Sequence, residues 1–354
     1  MKKLIKYILL QIRYILKIQK IPDILNNIYI ENTSKCNLKC RFCAYDKRDL
    51  KNVPYETMPQ AIFEDFVNQS LEIGYKNIGL TPTTGDVFMD KDLFSKINYL
   101  ENRTELKGYF FYSNFIPLSK DSIDKLFNLK KLKNLGISIY GHDEQTFIEF
   151  SKGSHNAFLK LKENLRYLRD KVLSKKLNFK IEFSHRTIKN FNIFKSNGEL
   201  SLLIRDFLDQ ENITYDKNSE FNNWGGIIKD TDVEGLDIKL NHGKTKKVGS
   251  CSLIYSRLII GPNGTVNACA CRDANFTLKI GNAKENKLKD IINLKNDKYK
   301  KIIERQEKND FPDVCKSCDF YRSIYQENYP VWSMRGEKVN NYSLKDVLQK
   351  LDTR

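Results

Sequence analysis

The residues best suited to chemistry in this chain are its eight cysteines, and three of them stand within eight positions. Cys36-Asn37-Leu38-Lys39-Cys40-Arg41-Phe42-Cys43 has C-x3-C-x2-C spacing and directly follows a strand predicted over 28–32. Three thiolates this close cannot all pair as local disulfides, and they fall one short of a four-ligand zinc site. They can hold three irons of a [4Fe–4S] cluster and leave the fourth open to a substrate or cofactor. Thiolate is the soft ligand that such clusters require. A zinc knuckle or scattered reduced thiols are the plainer alternatives.

The run, including the aromatic Phe42 before its last cysteine, resembles the signature of radical S-adenosylmethionine (radical SAM) enzymes. That resemblance implies S-adenosylmethionine at the open iron and its reductive cleavage to a 5′-deoxyadenosyl radical. The radical then takes a hydrogen atom from a substrate. It also implies an external one-electron reductant such as flavodoxin or ferredoxin. On the same resemblance Phe42, Gly85, Asp86, Asn114, Ser138 and Arg186 become candidate cofactor contacts. Thr84-Gly85-Asp86 stands where family members often carry Gly-Gly-Glu around the methionine amino group, and Asp86 supplies a carboxylate one carbon shorter. Ser113-Asn114 resembles a Thr-Asn pair of the family, and Ser138 its polar residue near the ribose and carboxylate. Arg186 is a candidate carboxylate partner because guanidinium binds carboxylate bidentately. His142 and His185 are lone histidines, more often structural than catalytic. Trp224 either walls the substrate pocket or packs at a domain boundary.

The other five cysteines lie after residue 250. Cys251 precedes a strand-like run over 255–260, the turn signal Gly261-Pro262-Asn263-Gly264, and a returning strand over 265–268 that ends in Cys269. Cys315-Lys316-Ser317-Cys318 adds a C-x2-C pair, and four thiolates from a hairpin and a knuckle can close a complete cluster site. A four-cysteine zinc site is the alternative. The arrangement resembles the SPASM/Twitch auxiliary-cluster extension of radical SAM proteins, which implies Cys251, Cys269, Cys315 and Cys318 as ligands and two [4Fe–4S] clusters in all. Cys271 is left over. It is a substitute ligand for Cys269, a hydrogen-atom donor to a substrate radical, or an inert buried thiol.

Strand–helix alternation must position these groups. Strands are predicted over 28–32, 77–81, 108–113, 135–139, 179–184 and 213–216. Helices are predicted over 59–73, 91–100, 121–129, 156–173 and 200–208. Pro59 and Gly74 suit the ends of the first of these helices. Pattern alone does not separate an open sheet from a barrel. The family resemblance selects an α/β fold, a partial (β/α)6 TIM-like barrel with a small C-terminal α+β cluster-binding domain. The expected units are 1–27, a basic amphipathic helix; 28–230, the barrel; 231–330, the cluster domain; and 331–354, a tail helix capped by Ser343 and Asp346. In such barrels chemistry sits at the C-terminal strand ends.

Residues 2–20 place Leu4, Ile5, Ile8, Leu9, Ile12, Ile15 and Leu16 at helical spacing among Lys2, Lys3, Lys6, Arg13, Lys17 and Lys20, with Pro22 as the stop. The uncharged run 7–12 is too short to span a bilayer, and no small-residue cleavage site follows. The helix is expected either on an anionic membrane surface or packed on the barrel.

The 354 residues carry 60 Lys+Arg against 44 Asp+Glu, a net charge of +16. Lysine is spread along nearly every segment, without an arginine-rich tract or a recognisable module, so nucleic acid is not an expected partner. Eight cysteines are too sparse here for a disulfide scaffold, and their clustering points to metal in a reducing, cytoplasmic compartment. Only the first helix precedes the barrel, with no added peptide-recognition domain. The expected substrate is therefore a small or carbohydrate-type molecule to be dehydrogenated or epimerised. Peptide modification, or a non-enzymatic iron–sulfur or zinc protein, is the alternative.

Overall fold

The computed structural model describes residues 2–81, 83–242, 246–326 and 340–353, with backbone only for residues 2–4. After helix α1 (Lys2–Ile15) and a short strand β1 (Ile21–Pro22), six parallel strands pair in chain order. They are β2 (Asn27–Ile30), β3 (Asn77–Gly79), β4 (Gly108–Ser113), β5 (Leu132–Tyr140), β6 (Lys180–Arg186) and β7 (Ile213–Asn218). Between them run α2 (Gln60–Ile73), α3 (Leu93–Glu101), α4 (Lys120–Leu126), α5 (Glu144–Ser151), α6 (His155–Ser174) and α7 (Glu199–Arg205). Leu135, Ile137, Ile139, Ile181 and Phe183 are fully buried, as expected of strand positions covered by these helices. The alternate positions carry Tyr112, Ser138, Glu182, Ser184, Arg186 and Asp216, and line the inner side of the curved sheet. Tyr112 fits there because Gly136 faces it; a Cβ at Gly136 would sit 2.0 Å from the Tyr112 ring.

The second half extends the same sheet. A two-strand ladder, β8 (Glu220–Phe221) with β9 (Lys239–Leu240), leads to α8 (Leu253–Ser256), β10 (Ile259–Ile260), β11 (Thr265–Asn267) and β12 (Lys279–Asn282). The hairpin β10–β11 forms as predicted, and β10 also pairs in parallel with β2. A single nine-stranded, mostly parallel sheet therefore runs from β12 to β7. The hairpin covers the otherwise open edge of β2. Helices α9 (Leu288–Ile291), α10 (Asp297–Glu307) and α11 (Asp313–Ser317) close this half. Strand β13 (Asn341–Tyr342) pairs with β1, and α12 (Leu344–Asp352) starts with the Ser343–Asp346 capping box.

Four details depart from the sequence reading. Helix α1 ends at Ile15, well before Pro22, because Lys17 turns left-handed (φ 53°) and Ile18 N–H bonds Arg13 O at 2.9 Å. Helix α5 was not expected; Asp143 and Thr146 form its capping box. The first half of the 255–260 run is a helical turn, with Arg257 N–H on Leu253 O and Ser256 Oγ on Ser252 O. Beneath the cysteine loop lies an ion pair that sequence did not suggest. Lys96 and Asp90 have fully buried side chains 2.6 Å apart. Asn32 also donates to Asp90 and Met58 O accepts from Lys96.

Candidate active site

The loop after β2 is fixed by its own side chains and by distant ones. Tyr45 Oη accepts the Cys36 N–H at 2.9 Å, and Asn114 Nδ2 donates to Asn37 Oδ1 at 2.7 Å. Trp224 Nε1 donates to Phe42 O at 2.9 Å. The Phe42 ring is buried among Phe221, Tyr140 and Phe150, with centroids 4.8, 5.6 and 6.1 Å away. The loop thus holds Cys36, Cys40 and Cys43 together: Cys43 adds to the upward shift at both Cys36 and Cys40, and Cys36 adds to that at Cys40. Burial pushes Cys36 up to about 12 and raises Cys40 and Cys43; Arg186 opposes this at both of the latter. Thiols buried this deeply stay protonated unless a cation compensates them, and a metal cluster does so outright.

The second group is gathered by β10–β11 and α11. Among the described residues all cysteines are free. Cys251, Cys315 and Cys318 lie within electrostatic range of one another, and Cys271 lies within range of Cys251, Cys269 and Cys318. Four of the five sulfurs accept an N–H from the backbone or from Gln306. Arg322 N reaches Cys251 Sγ at 3.4 Å and Cys271 N reaches Cys269 Sγ at 3.4 Å. Gln306 Nε2 reaches Cys315 Sγ at 3.3 Å and Phe320 N reaches Cys318 Sγ at 3.3 Å. Gln306 is fully buried and braces two cysteines, since its Oε1 also accepts the Cys251 N–H at 2.8 Å. Cys271 Sγ instead accepts from Arg257 Nη1 at 3.5 Å. No three described His, Cys, Asp or Glu side chains converge tightly enough to hold one metal ion.

Residues 30–179 match the radical SAM superfamily domain, and residues 251–319 match the SPASM iron–sulfur cluster-binding domain. The chain carries a radical SAM domain followed by a SPASM domain. No curated protein sequence matches it significantly. Among solved structures it is similar to BtrN in complex with AdoMet and 2-DOIA, at 16% identity and a TM-score of 0.54, covering 86% of this chain and 97% of that one. It is also similar to Streptococcus suis SuiB bound to its precursor peptide SuiA, at 17% identity and a TM-score of 0.54, covering 88% of this chain and 75% of that one. A third, the anSMEcpe structure with bound AdoMet, is 13% identical with a TM-score of 0.50, covering 92% and 91%. The fold is the partial TIM barrel of these radical SAM structures. The two domains imply S-adenosylmethionine and two [4Fe–4S] clusters, and both buried thiol groups fit that demand.

The radical SAM barrel places the remaining candidates around the cysteine loop, and several have different partners from those expected. Asp86 is 1 % exposed, and its carboxylate already accepts from Ser113 Oγ (3.0 Å), Phe88 N (3.0 Å) and Asn114 N (2.7 Å). These bonds brace Asn114 beside the cysteine loop. Burial pushes the Asp86 pKa up to about 6. Gly85, at φ 148°, has a backbone that favours glycine. Phe42 is likewise a packed anchor. Arg186 stands 6.0 Å from the Phe42 ring and 5.9 Å from that of Tyr140, and donates to Ser184 Oγ at 3.2 Å. Ser138 pairs in register with Ser184 on the same inner face. His185 is structural: Nε2–H donates to Gly141 O at 2.7 Å and Nδ1 accepts from Tyr215 Oη at 2.9 Å. Burial lowers its pKa to about 4. His142 packs against Phe191.

Sequence reasoning missed Tyr45, Arg48, Gln306 and Arg272. Arg48 is buried and donates to Thr84 Oγ1 and Ser34 O, fastening the strand-three loop to the cysteine loop. Arg272 lies over the Phe320 ring at 4.5 Å and the Trp224 ring at 5.4 Å, within the field of both Cys43 and Cys318. Trp224 is therefore shared by the two thiol groups. Glu31, fully buried just past β2, is pushed up to about 8 by burial, with Arg48 opposing. None of these residues belongs to a local spacing pattern, so no sequence signal marked them.

Proposed function

We propose that this enzyme abstracts a hydrogen atom from a small, hydroxyl-rich molecule of carbohydrate type, leading to a dehydrogenated or epimerised product. The inner face of the barrel carries this reading. Tyr112, Glu182, Ser184, Arg186, Asp216 and Asn218 adjoin across β4, β6 and β7. Carboxylate, amide and guanidinium groups suit neighbouring hydroxyls, which both donate and accept. The match to BtrN over nearly its whole length supports the same reading. Peptide modification is the second reading, favoured by the equal likeness to SuiB with its peptide.

The bound cluster and S-adenosylmethionine supply a 5′-deoxyadenosyl radical on one-electron reduction by a flavodoxin- or ferredoxin-type partner. Cys36, Cys40 and Cys43 would hold the first cluster, and Asn114, kept in place by Asp86, holds the loop. Arg186 would offer its guanidinium to the methionine carboxylate, and Ser138 and the Gly85 backbone would be further contacts for the cofactor. Phe42, Tyr140, Phe150 and Phe221 exclude water from one side. Cys251, Cys269, Cys315 and Cys318 would hold the second cluster. Cys271 then remains beside Arg257 and within the field of Tyr29 on the inner face. In an epimerisation its S–H would return a hydrogen atom to the substrate radical, and one electron and one proton from the reductant would restore the thiol.

Candidate cyclitols, aminosugars and nucleotide sugars deuterated at ring carbons test the reading. Label is expected in 5′-deoxyadenosine. Label arriving only from peptide carbons would sink the carbohydrate assignment. Cys271→Ala separates its roles: lost turnover with both clusters retained supports the donor, and loss of about four irons supports a ligand.

A further inference from the structure

Helix α1 is attached to the protein by one face. Tyr14 Oη donates to Glu307 O at 2.7 Å, and its ring meets Tyr325 edge-on at 5.0 Å. Lys246 Nζ sits 3.7 Å from the Tyr7 ring centroid, and Leu10 packs on the core. At about 100° per residue, the opposite face carries Ile5, Ile8, Leu9, Ile12, Ile15 and Leu16. Each of these is 45–72% exposed. Together with Ile18 they are seven of the fourteen exposed large hydrophobic residues among the described positions, so the stripe is not random scatter. Helix α12 shows the ordinary alternative, with Val347 and Leu351 buried.

The charge around the stripe says what covers it. Residues 1–22 hold six basic residues and no acidic one. By helical periodicity Lys6, itself exposed, borders the stripe along one flank. Two copies packed stripe to stripe would bring these flanks together, with no acid on α1 to answer them. We propose that this face docks α1 flat on the anionic surface of a lipid bilayer. The aliphatic side chains enter the acyl boundary and the bases reach the phosphates. Spanning is excluded for α1: its 14 residues cover only about 21 Å, and no described helix is long and apolar enough to cross a membrane. The attachment runs through the second thiol half, because Tyr14 bonds the backbone and Tyr325 the carboxylate of Glu307, next to Gln306.

The iron-loaded full chain is sedimented with vesicles of phosphatidylcholine alone or mixed with phosphatidylglycerol. It is expected to pellet with the mixed vesicles and to be released by salt. Ile8→Gln with Ile12→Gln should weaken binding roughly tenfold or more. Lys2→Gln with Lys6→Gln should weaken it about 30-fold at low salt. Iron content and the thermal melt should stay unchanged, since Ile8, Ile12 and Lys6 are exposed. The proposal is overturned if the wild type stays in solution with anionic vesicles, or if Ile8→Gln/Ile12→Gln binds as well. It is equally overturned if light scattering shows a lipid-free dimer that this variant splits.

Discussion

The two thiol groups differ more in their surroundings than in their number. In the second, backbone and Gln306 N–H groups reach four sulfurs at 3.3–3.4 Å, and hairpin, α10 and α11 enclose them. In the first, three sulfurs sit on a loop at the strand ends. Leu38 N–H (3.5 Å) and the Asn114 amide (4.0 Å) both approach Cys36, while Arg186 acts on Cys40 and Cys43. Four thiols each meeting an N–H would make a closed holder. Three thiols on a loop at the strand ends would leave one corner of a cluster open to a reactant. This is the same distinction that separates structural from catalytic zinc sites.

Single substitutions should break that symmetry most visibly. Cys40→Ala is expected to abolish 5′-deoxyadenosine formation while about four of eight irons remain. Cys315→Ala should remove the other four and lower the melting temperature, because Gln306 then loses a partner. Iron assay and calorimetry on both variants would contradict the contrast if the two behaved alike. Next in size is the support beneath the first group. Lys96→Ala leaves Asp90 buried and unpaired, so urea unfolding should show a loss of about 3–5 kcal/mol. Lys96→Met with Asp90→Leu should recover most of it.

Acid should separate the regions more gently, because His185 belongs to the barrel end. Its folded pKa of about 4 lies below the unfolded 6.5, so its contribution is present above pH 6.5 and fades as pH falls toward 4. Asp86 and Glu31, raised to about 6 and about 8, act in the opposite direction. The difference between wild type and His185→Gln isolates the histidine. It should shrink by about 2 kcal/mol between pH 7 and pH 5 in urea titrations. An unchanged difference would refute the buried neutral ring. The smallest effect is expected for Trp224→Phe, which removes the bond to Phe42 O. It should cost about 1 kcal/mol with iron content intact.

Local signals carried much of this into the sequence. The cysteine spacing, the Gly261–Gly264 turn, Gly74 with φ 98° at the end of α2, and the Ser343–Asp346 cap were all legible within a few residues. The illegible parts depend on chain separation. The pairing of β10 with β2 joins residues some 230 positions apart, and Trp224 reaches Phe42 across 182. The surroundings of Asp86 were equally illegible, because composition shows a carboxylate but not the Ser113, Phe88 and Asn114 donors folded around it. The 255–260 run misled because its β-branched and aromatic residues outweighed, on paper, the helical turn after Cys251.

The contrast is tested most directly by electron paramagnetic resonance of the reduced, iron-loaded protein with and without S-adenosylmethionine. Cys40→Ala and Cys315→Ala assign the two signals. Adding S-adenosylmethionine should shift the signal that Cys40→Ala removes and leave the other unchanged. A shift in the signal that Cys315→Ala removes, or no shift in either, would contradict the account.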